Sequence, residues 1–225
     1  MKKLCLIATT LLLTAAPASA GQVNTDQIVE LFTSQGCSSC PPSNALLQDI
    51  AEDDSVLALT YSVEYWDYLG WEDTFADPSF SQRQRTYSTA IGHGRVYTPQ
   101  MVVNGTWDKP RVSMREIKDD TVKGPAPKLT LNESGRFTIS AADGITGELV
   151  FVTYVPGDQS VAVENGENGG RTLTLTNVVT SVTKCSLYDG KAKTIEKPVR
   201  SGEAYAVILH SPDNGPVLTA ATYIP

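Results

Sequence analysis

Apolar and polar positions in the first half of the chain follow two alternating patterns. Continuous apolar runs predict strands at residues 27–32, 55–62 and 100–103. Apolar residues at helical spacing predict helices at residues 40–51, 78–90 and 110–122. Strands that alternate with helices are typical of an α/β layer, so we predict an α/β domain over residues 21–123.

The pattern changes after Gly124-Pro125-Ala126-Pro127, whose two prolines and glycine predict an exposed linker over residues 124–127. Beyond it, strand-like segments are separated by turn signals and lie at residues 128–132, 136–140, 148–155, 160–163, 171–188, 203–210 and 216–224. Short strands without a helix are typical of a β-sandwich, so we predict an all-β, sandwich-like domain over residues 128–225.

Residues 1–20 have the order of a secretory signal peptide. Lys2 and Lys3 precede an apolar run at residues 4–16, and Ala18-Ser19-Ala20 supplies the small residues of a cleavage site. The apolar run is shorter than the roughly 20 residues that a membrane-spanning helix needs. We therefore expect a periplasmic or secreted protein that is not inserted in the membrane after the signal is cleaved.

The charge balance narrows the classes of partner. The chain carries 18 Lys and Arg against 25 Asp and Glu, a formal net charge of −7 at pH 7. The sequence has no run of basic residues to neutralise phosphates, so we expect no nucleic-acid partner.

Cys37 and Cys40 form a Cys-x-x-Cys motif directly after a predicted strand and at the start of a predicted helix. The free amides and the positive dipole end of a helix N-terminus stabilise an anion. We expect this placement to favour the thiolate of Cys37 and to bring its pKa below the usual value of about 8.5. Cys37 would then be the catalytic nucleophile and Cys40 the resolving thiol, with no cofactor besides the redox-active disulfide itself.

Other interpretations of the cysteine pair stay open. As a structural bridge it would stabilise the fold by only about 2 kcal/mol, because such a short ring removes little chain entropy. A zinc site needs about four ligands, and no second Cys-x-x-Cys or histidine cluster accompanies the motif. Two thiolates suffice for Cu(I), with Met101 as a further soft ligand. The alternative function is therefore a non-enzymatic envelope module that binds Cu(I) or a protein partner.

Several residues outside the motif are further candidates. Trp66 and Trp71 lie in a loop rich in acidic residues and would form a substrate-docking surface or pack on the core. Glu30, on the strand that leads to the motif, is a candidate for a buried proton acceptor or is a solvated acid at the strand edge. Cys185 is expected to be a buried free thiol. The glycine-rich residues 166–170 are expected to form a structural hairpin turn, since no helix follows them.

Three separated motifs resemble a known family, and they lie at residues 29–42, 65–71 and 96–105. The resemblance continues, over a shorter stretch, at residues 166–173. In this order they are similar to the secreted bacterial family called domain of unknown function 1223, which is grouped with thioredoxin-like folds. The resemblance implies a thioredoxin-like first domain. It also implies a cis peptide bond before Pro99, with Thr98 and Pro99 binding substrate beside Cys37.

The motif and the resemblance together lead to one functional prediction. We predict an exported thiol–disulfide oxidoreductase that acts on protein or small thiol and disulfide substrates. The family resemblance itself names no substrate and no direction of electron flow.

Overall fold

The computed structural model describes residues 21–25, 27–120 and 126–225, in which strands dominate. The strands are β1 (Gly21–Thr25), β2 (Gln27–Thr33), β3 (Val56–Ser62), β4 (Gln100–Val103), β5 (Trp107–Lys109), β6 (Leu129–Leu131), β7 (Arg136–Ile139), β8 (Gly147–Val163), β9 (Arg171–Tyr188), β10 (Lys193–Glu196), β11 (Ala204–His210) and β12 (Val217–Ile224). The helices are α1 (Pro41–Ala51), α2 (Pro78–Ile91) and α3 (Met114–Asp119). The predicted signal peptide, and residues 124 and 125 of the predicted linker, lie outside the described residues.

The first half contains a β-α-β unit followed by a hairpin. β2 and β3 are parallel neighbours joined through α1, β4 is antiparallel to β2, and β5 is antiparallel to β4. Every residue of β2 and β3 is buried, as expected for parallel strands covered on both faces. The predicted strands and the first two predicted helices of this half are confirmed within one or two residues.

Prolines and one capping box mark where the three helices begin. Pro41 and Pro78 occupy the first helical positions of α1 and α2, where a missing amide costs least. The predicted helix over residues 110–122 is shorter than expected, because Ser113 and Glu116 form a capping box that starts α3 at Met114.

The second half is dominated by a long hairpin formed by β8 and β9. Residues 148–155 and 160–163 were predicted as two strands, but they belong to the single strand β8. The pairing shifts register between Val155 and Asp158, so a bulge interrupts the apolar pattern without ending the strand. The tip of this hairpin, residues 164–170, contacts the loop between β2 and α1.

Among the described residues, three larger apolar clusters and a smaller one on the β8–β9 hairpin form the core. Alternate residues of β2 point to opposite faces, so Val29 and Leu31 pack under α1 and α3, whereas Ile28 and Phe32 pack under α2. On the second half, a small sheet of order β10-β7-β6 packs its apolar side against β8, β11 and β12. This packing of sheet on sheet is the sandwich-like part of the molecule.

The two predicted parts share one nine-stranded sheet, of order β1-β12-β11-β8-β9-β3-β2-β4-β5. β9 lies beside β3, where the Thr60 hydroxyl donates to the Thr176 carbonyl at 2.6 Å and the Asn177 amide donates to the Ala58 carbonyl at 2.9 Å. The expected separation into an α/β sheet and an independent sandwich is therefore not seen in the strand pairing. Pairing with β9 covers the edge of β3, which would otherwise expose unpaired backbone groups.

Across the described ranges, none of the helices combines the length and apolar character that crossing a bilayer requires.

Candidate functional site

Cys37 and Cys40 are joined by a disulfide at the junction of β2 and α1. Their Cα atoms lie 5.4 Å apart, within the usual range for a disulfide. The intervening turn is closed by the Cys40 amide, which donates to the Cys37 carbonyl at 3.2 Å. Because the buried strand β2 and the helix α1 hold its two ends, the motif occupies a defined position at the end of β2.

The helix end supplies fewer amides to the motif than the sequence suggests. The first two residues of α1 are prolines, which have no backbone N–H. The amides of Ser43 and Asn44 both donate to the Cys40 carbonyl, at 2.9 and 3.1 Å. Stabilisation of a thiolate at Cys37 must therefore come from the helix dipole and from the amides of the motif itself.

Both cysteines are enclosed in the disulfide form. The exposed fraction of Cys37 is 2% and that of Cys40 is 0%, whereas Ser38 and Ser39 are exposed. The Ser39 hydroxyl lies 3.4 Å from the Cys37 sulfur and 3.5 Å from the Thr98 carbonyl. The exposed part of the motif is therefore its two serines, and the sulfur atoms lie beneath them.

The segment before β4 brings Thr98 and Pro99 to the motif. The Thr98–Pro99 peptide bond is cis, as the resemblance implied, and Pro99 is buried while Thr98 is half-buried. The Thr98 hydroxyl accepts a hydrogen bond from the Trp66 indole at 2.7 Å. The Thr98 carbonyl faces the Ser39 hydroxyl, so this segment forms one wall of the site.

The two candidate tryptophans have different surroundings. Trp66 packs beside the motif, since a Cβ atom on Gly36 would lie 3.3 Å from the Trp66 Cβ, and its ring stacks on Tyr68, which is 77% exposed. Trp71 instead donates to the Gln35 side chain at 2.8 Å and packs on the apolar residues of the β8–β9 hairpin. Trp66 with Tyr68 is therefore the aromatic surface beside the cysteines, and Trp71 supports the loop beneath it.

The hairpin tip at residues 164–170 forms a second wall of the site, although a purely structural turn was expected there. Asn168 is fully buried, and its side-chain amide donates to the carbonyls of Gln35 and Cys37, both at 2.9 Å. The Arg171 guanidinium donates to the side-chain oxygen Oδ1 of Asn168 at 2.7 Å. Glu167 accepts a hydrogen bond from the Ser38 amide at 3.1 Å. The only sequence signal for this contact is that residues 166–168 belong to the family resemblance.

Asp73 is a buried acid near the motif that the sequence did not single out. Its carboxylate accepts hydrogen bonds from the amides of Gln35, at 2.7 Å, and Phe75, at 2.9 Å. Burial raises the pKa of Asp73 to about 6, against the opposing effect of these two amides. Asp73 thus fixes the backbone two residues before Cys37.

Glu30 lies in a buried ion pair rather than in a free acidic pocket. Its two oxygens accept from the Arg83 guanidinium at 2.7 and 3.0 Å, and the Tyr87 hydroxyl donates to one of them. Burial alone would raise the pKa of Glu30, but the charge and hydrogen bonds of Arg83, together with His210 and the Tyr87 hydroxyl, outweigh burial and hold that pKa below its usual value. A carboxylate held ionised in this way is a poor proton acceptor, so the structure disfavours the role predicted for Glu30.

Met101 and Cys185 contribute nothing to a site at the motif. Met101 is fully buried in the core under α1, among Val29, Leu47 and Ile117. Cys185 is half-buried on β9, is paired with no other described cysteine, and has its pKa raised by burial. Within the part of the chain that the structure describes, no group of three or more His, Cys, Asp or Glu residues is arranged to hold a metal ion.

Comparison with known proteins gives one family match and two informative structural neighbours. The model of the family described as "Protein of unknown function (DUF1223)" matches residues 28–209. A protein of Agrobacterium tumefaciens with a crystal structure is 26% identical in sequence to this chain. Its structure matches with a TM-score of 0.72, over 89% of this chain and 94% of that one. The structure titled "HBP35 of Porphyromonas gingivalis" is 15% identical, with a TM-score of 0.60 over 89% of this chain and 75% of that one, a likeness of fold alone. No curated protein matches the chain.

Proposed function

The chain belongs to the DUF1223 family, and we propose that it is an exported thiol–disulfide oxidoreductase that uses Cys37 and Cys40 on protein or small disulfide substrates. One observation carries the proposal: the Cys37–Cys40 disulfide lies at a strand-to-helix junction, directly beside the cis Thr98–Pro99 segment. A ring of four residues contributes little to stability, so chemistry is the better explanation for placing it there.

The order of elements supports a thioredoxin-like assignment for the first half. The chain runs β2-α1-β3-α2-β4-β5-α3, and the strands lie in the order β3-β2-β4-β5 with only β2 and β3 parallel. In this arrangement the motif follows the central strand and the cis proline precedes the neighbouring strand. Both lie at one end of the sheet, which is where exchange with a bound substrate would occur.

The exchange itself needs no group besides the two cysteines and the substrate. In the reduced protein the Cys37 thiolate attacks one sulfur of a substrate disulfide, the substrate S–S bond breaks, and a mixed disulfide forms while the other substrate sulfur leaves as a thiolate. Cys40 then loses its proton to the departed substrate thiolate or to water and attacks the Cys37 sulfur, which restores the Cys37–Cys40 bond and releases the second substrate sulfur as a thiolate. Two electrons pass from the cysteine pair to the substrate, and the reverse sequence oxidises a substrate dithiol.

The surroundings suggest which groups assist. Thr98 presents its carbonyl, and Trp66 with Tyr68 presents an aromatic face, at the exposed side of Ser38 and Ser39. Because the disulfide form is enclosed, we infer that substrate enters across this face. Export is proposed from the signal-like order of residues 1–20 and is checked by fractionating the cells that express the full chain.

The reduction potential tests the proposal. In glutathione or dithiothreitol buffers, the pair in residues 21–225 should have a potential between about −120 and −270 mV, the range of known exchange proteins. A Cys37→Ser variant should lose all reduction of a model protein disulfide such as insulin, whereas Cys185→Ser should retain it. A potential below about −300 mV together with no activity would identify a structural bridge instead.

The substrates are identified by trapping. In cells that express Cys40→Ala, the mixed disulfide on Cys37 cannot be resolved, so substrate proteins should stay covalently attached to it. The double variant Cys37→Ser, Cys40→Ala is the matched control and should hold none of them. Stoichiometric binding of Cu(I), lost in Cys37→Ser, would favour the alternative of a metal-binding module.

A further inference from the structure

An acidic side chain from the second half of the chain is held against the cysteine motif. The Glu167 carboxylate accepts a hydrogen bond at 3.1 Å from the amide of Ser38, the residue that follows Cys37. Hydrogen bonds from the Ser38 hydroxyl and from this amide lower the pKa of Glu167, so the group carries a negative charge at neutral pH.

The position of Glu167 is set by its neighbours rather than by a loose surface contact. The adjacent Asn168 is fully buried and binds two carbonyls of the motif loop, as described above. On its other side, Gly166 adopts a φ of +74° and packs so closely on Trp71 that an added Cβ would lie 3.3 Å from the Trp71 Cβ. The hairpin tip is therefore anchored on both sides of Glu167.

A negative charge at this point acts on the two redox states unequally. The disulfide has no charge on sulfur, so the carboxylate leaves its energy nearly unchanged. A thiolate at Cys37 is repelled by the carboxylate, which is bound to the amide of the next residue, Ser38. The carboxylate also occupies that amide, one of the few in the motif, since Pro41 and Pro42 supply none. Glu167 should therefore destabilise the reduced, ionised form more than the oxidised form.

We propose that Glu167 is a positioning residue that disfavours the Cys37 thiolate and thereby makes the Cys37–Cys40 pair a weaker oxidant. The inference rests on the proposed function to the extent that the pair must be reducible. It assigns to the glycine-rich turn, residues 166–170, a role in setting the redox properties of a motif about 130 positions earlier in the chain.

Glu167→Gln is the appropriate variant, because the amide oxygen can still accept the Ser38 hydrogen bond while the charge is removed. Glu164→Gln is the matched control, since Glu164 is an exposed acid in the same hairpin tip. Both substitutions are made in a protein that also carries Cys185→Ser. To measure the pKa of Cys37, Cys40→Ala is added as well, and the ultraviolet absorbance of the Cys37 thiolate is followed as a function of pH. The equilibrium of the intact pair with glutathione is measured separately.

Glu167→Gln should lower the pKa of Cys37 and shift the glutathione equilibrium about threefold to tenfold towards the reduced protein, where tenfold corresponds to about 30 mV. The difference should shrink in high salt, because Glu167 is exposed and its field is screened. Glu164→Gln should behave like the parent in both measurements. If Glu167→Gln also matches the parent, the inference is wrong, even if exchange activity is present. If the shift occurs but no variant exchanges disulfides, the inference stands and the proposed function fails.

Discussion

At the scale of single residues, a buried polar cluster ties three elements together. Glu30 on β2 pairs with Arg83 on α2, and Arg83 also donates to His210 on β11 at 3.1 Å. His210 in turn donates from Nδ1 to the Gly215 carbonyl at 3.0 Å, so its Nε2 is the acceptor facing Arg83. Such clusters stabilise a fold only while every member keeps its partner.

His210 should make the protein sensitive to acid. Burial, with Arg83 nearby, lowers the pKa of His210 to about 4 from its ordinary value of about 6.5. Because its pKa is lower in the folded state than in the unfolded state, His210 contributes to stability above pH 6.5. This contribution is lost as the pH falls towards 4, because the unfolded state then binds the proton more readily. Between pH 7 and pH 4 we expect this loss to reach about 3 kcal/mol.

Urea unfolding of a His210 variant at several pH values measures this contribution. His210→Gln removes the titrating group and keeps both an acceptor for Arg83 and a donor for Gly215, so its stability should fall less between pH 7 and pH 4 than that of the parent. Equal pH dependence in the two proteins would contradict the neutral, buried assignment.

At the scale of elements, the β8–β9 hairpin connects the second half of the chain to the Cys37–Cys40 motif. β9 pairs with β3, and the hairpin tip beyond it reaches the loop between β2 and α1. Asn168 supplies the buried contact at this point. One of its hydrogen bonds satisfies the enclosed Gln35 carbonyl, and the other adds a second donor to the Cys37 carbonyl, which also accepts from the Cys40 amide.

Removal of the Asn168 side chain should loosen the cover of the cysteines. Asn168→Ala removes the buried donor to the Gln35 carbonyl and one of the two donors to the Cys37 carbonyl, which should destabilise the protein by about 1–3 kcal/mol. After reduction, Cys37 should also react faster with iodoacetamide than in the parent. Asn165→Ala, an exposed position in the same tip, should change neither quantity. Identical stability and alkylation rates in both variants would show that the tip does not hold the motif loop.

At the scale of the whole molecule, the main core is built from both halves of the chain. Phe32 and Tyr61 from the first half share one apolar cluster with Tyr154 and Ile208 from the second half. The strand β1 pairs with β12, so the beginning and the end of the described chain lie side by side. Domain boundaries usually fall where few contacts cross, and this sheet crosses the predicted boundary at residues 124–127.

The first half alone should therefore not form a stable domain. Residues 21–123, expressed without the rest, would expose the β3 edge and half of the shared cluster, so we expect aggregation or the loss of a cooperative unfolding transition. Residues 21–225 should unfold cooperatively under the same conditions. Calorimetry and near-ultraviolet circular dichroism distinguish the cases, and a monomeric, cooperatively folded 21–123 would instead establish the predicted domain division.

The sequence by itself determined the local elements and the position of the cysteine pair. The apolar run that begins at Gln27 and the helical spacing of Leu46, Leu47 and Ile50 depend on neighbouring residues, so the junction that carries Cys37 and Cys40 could be predicted. The motifs also sufficed to identify the family. Short strands such as β5 and β10 were missed, because three or four residues carry too little periodic signal.

Only the tertiary structure decided what surrounds the cysteines. The contact of Glu167 with Ser38, the hydrogen bonds of Asn168 and the pairing of Glu30 with Arg83 join residues from 53 to 133 positions apart. The joining of both halves in one sheet has the same origin, because any strand edge presents similar backbone donors and acceptors. Apolar periodicity records which face of an element is buried, but it does not record the partner that buries it.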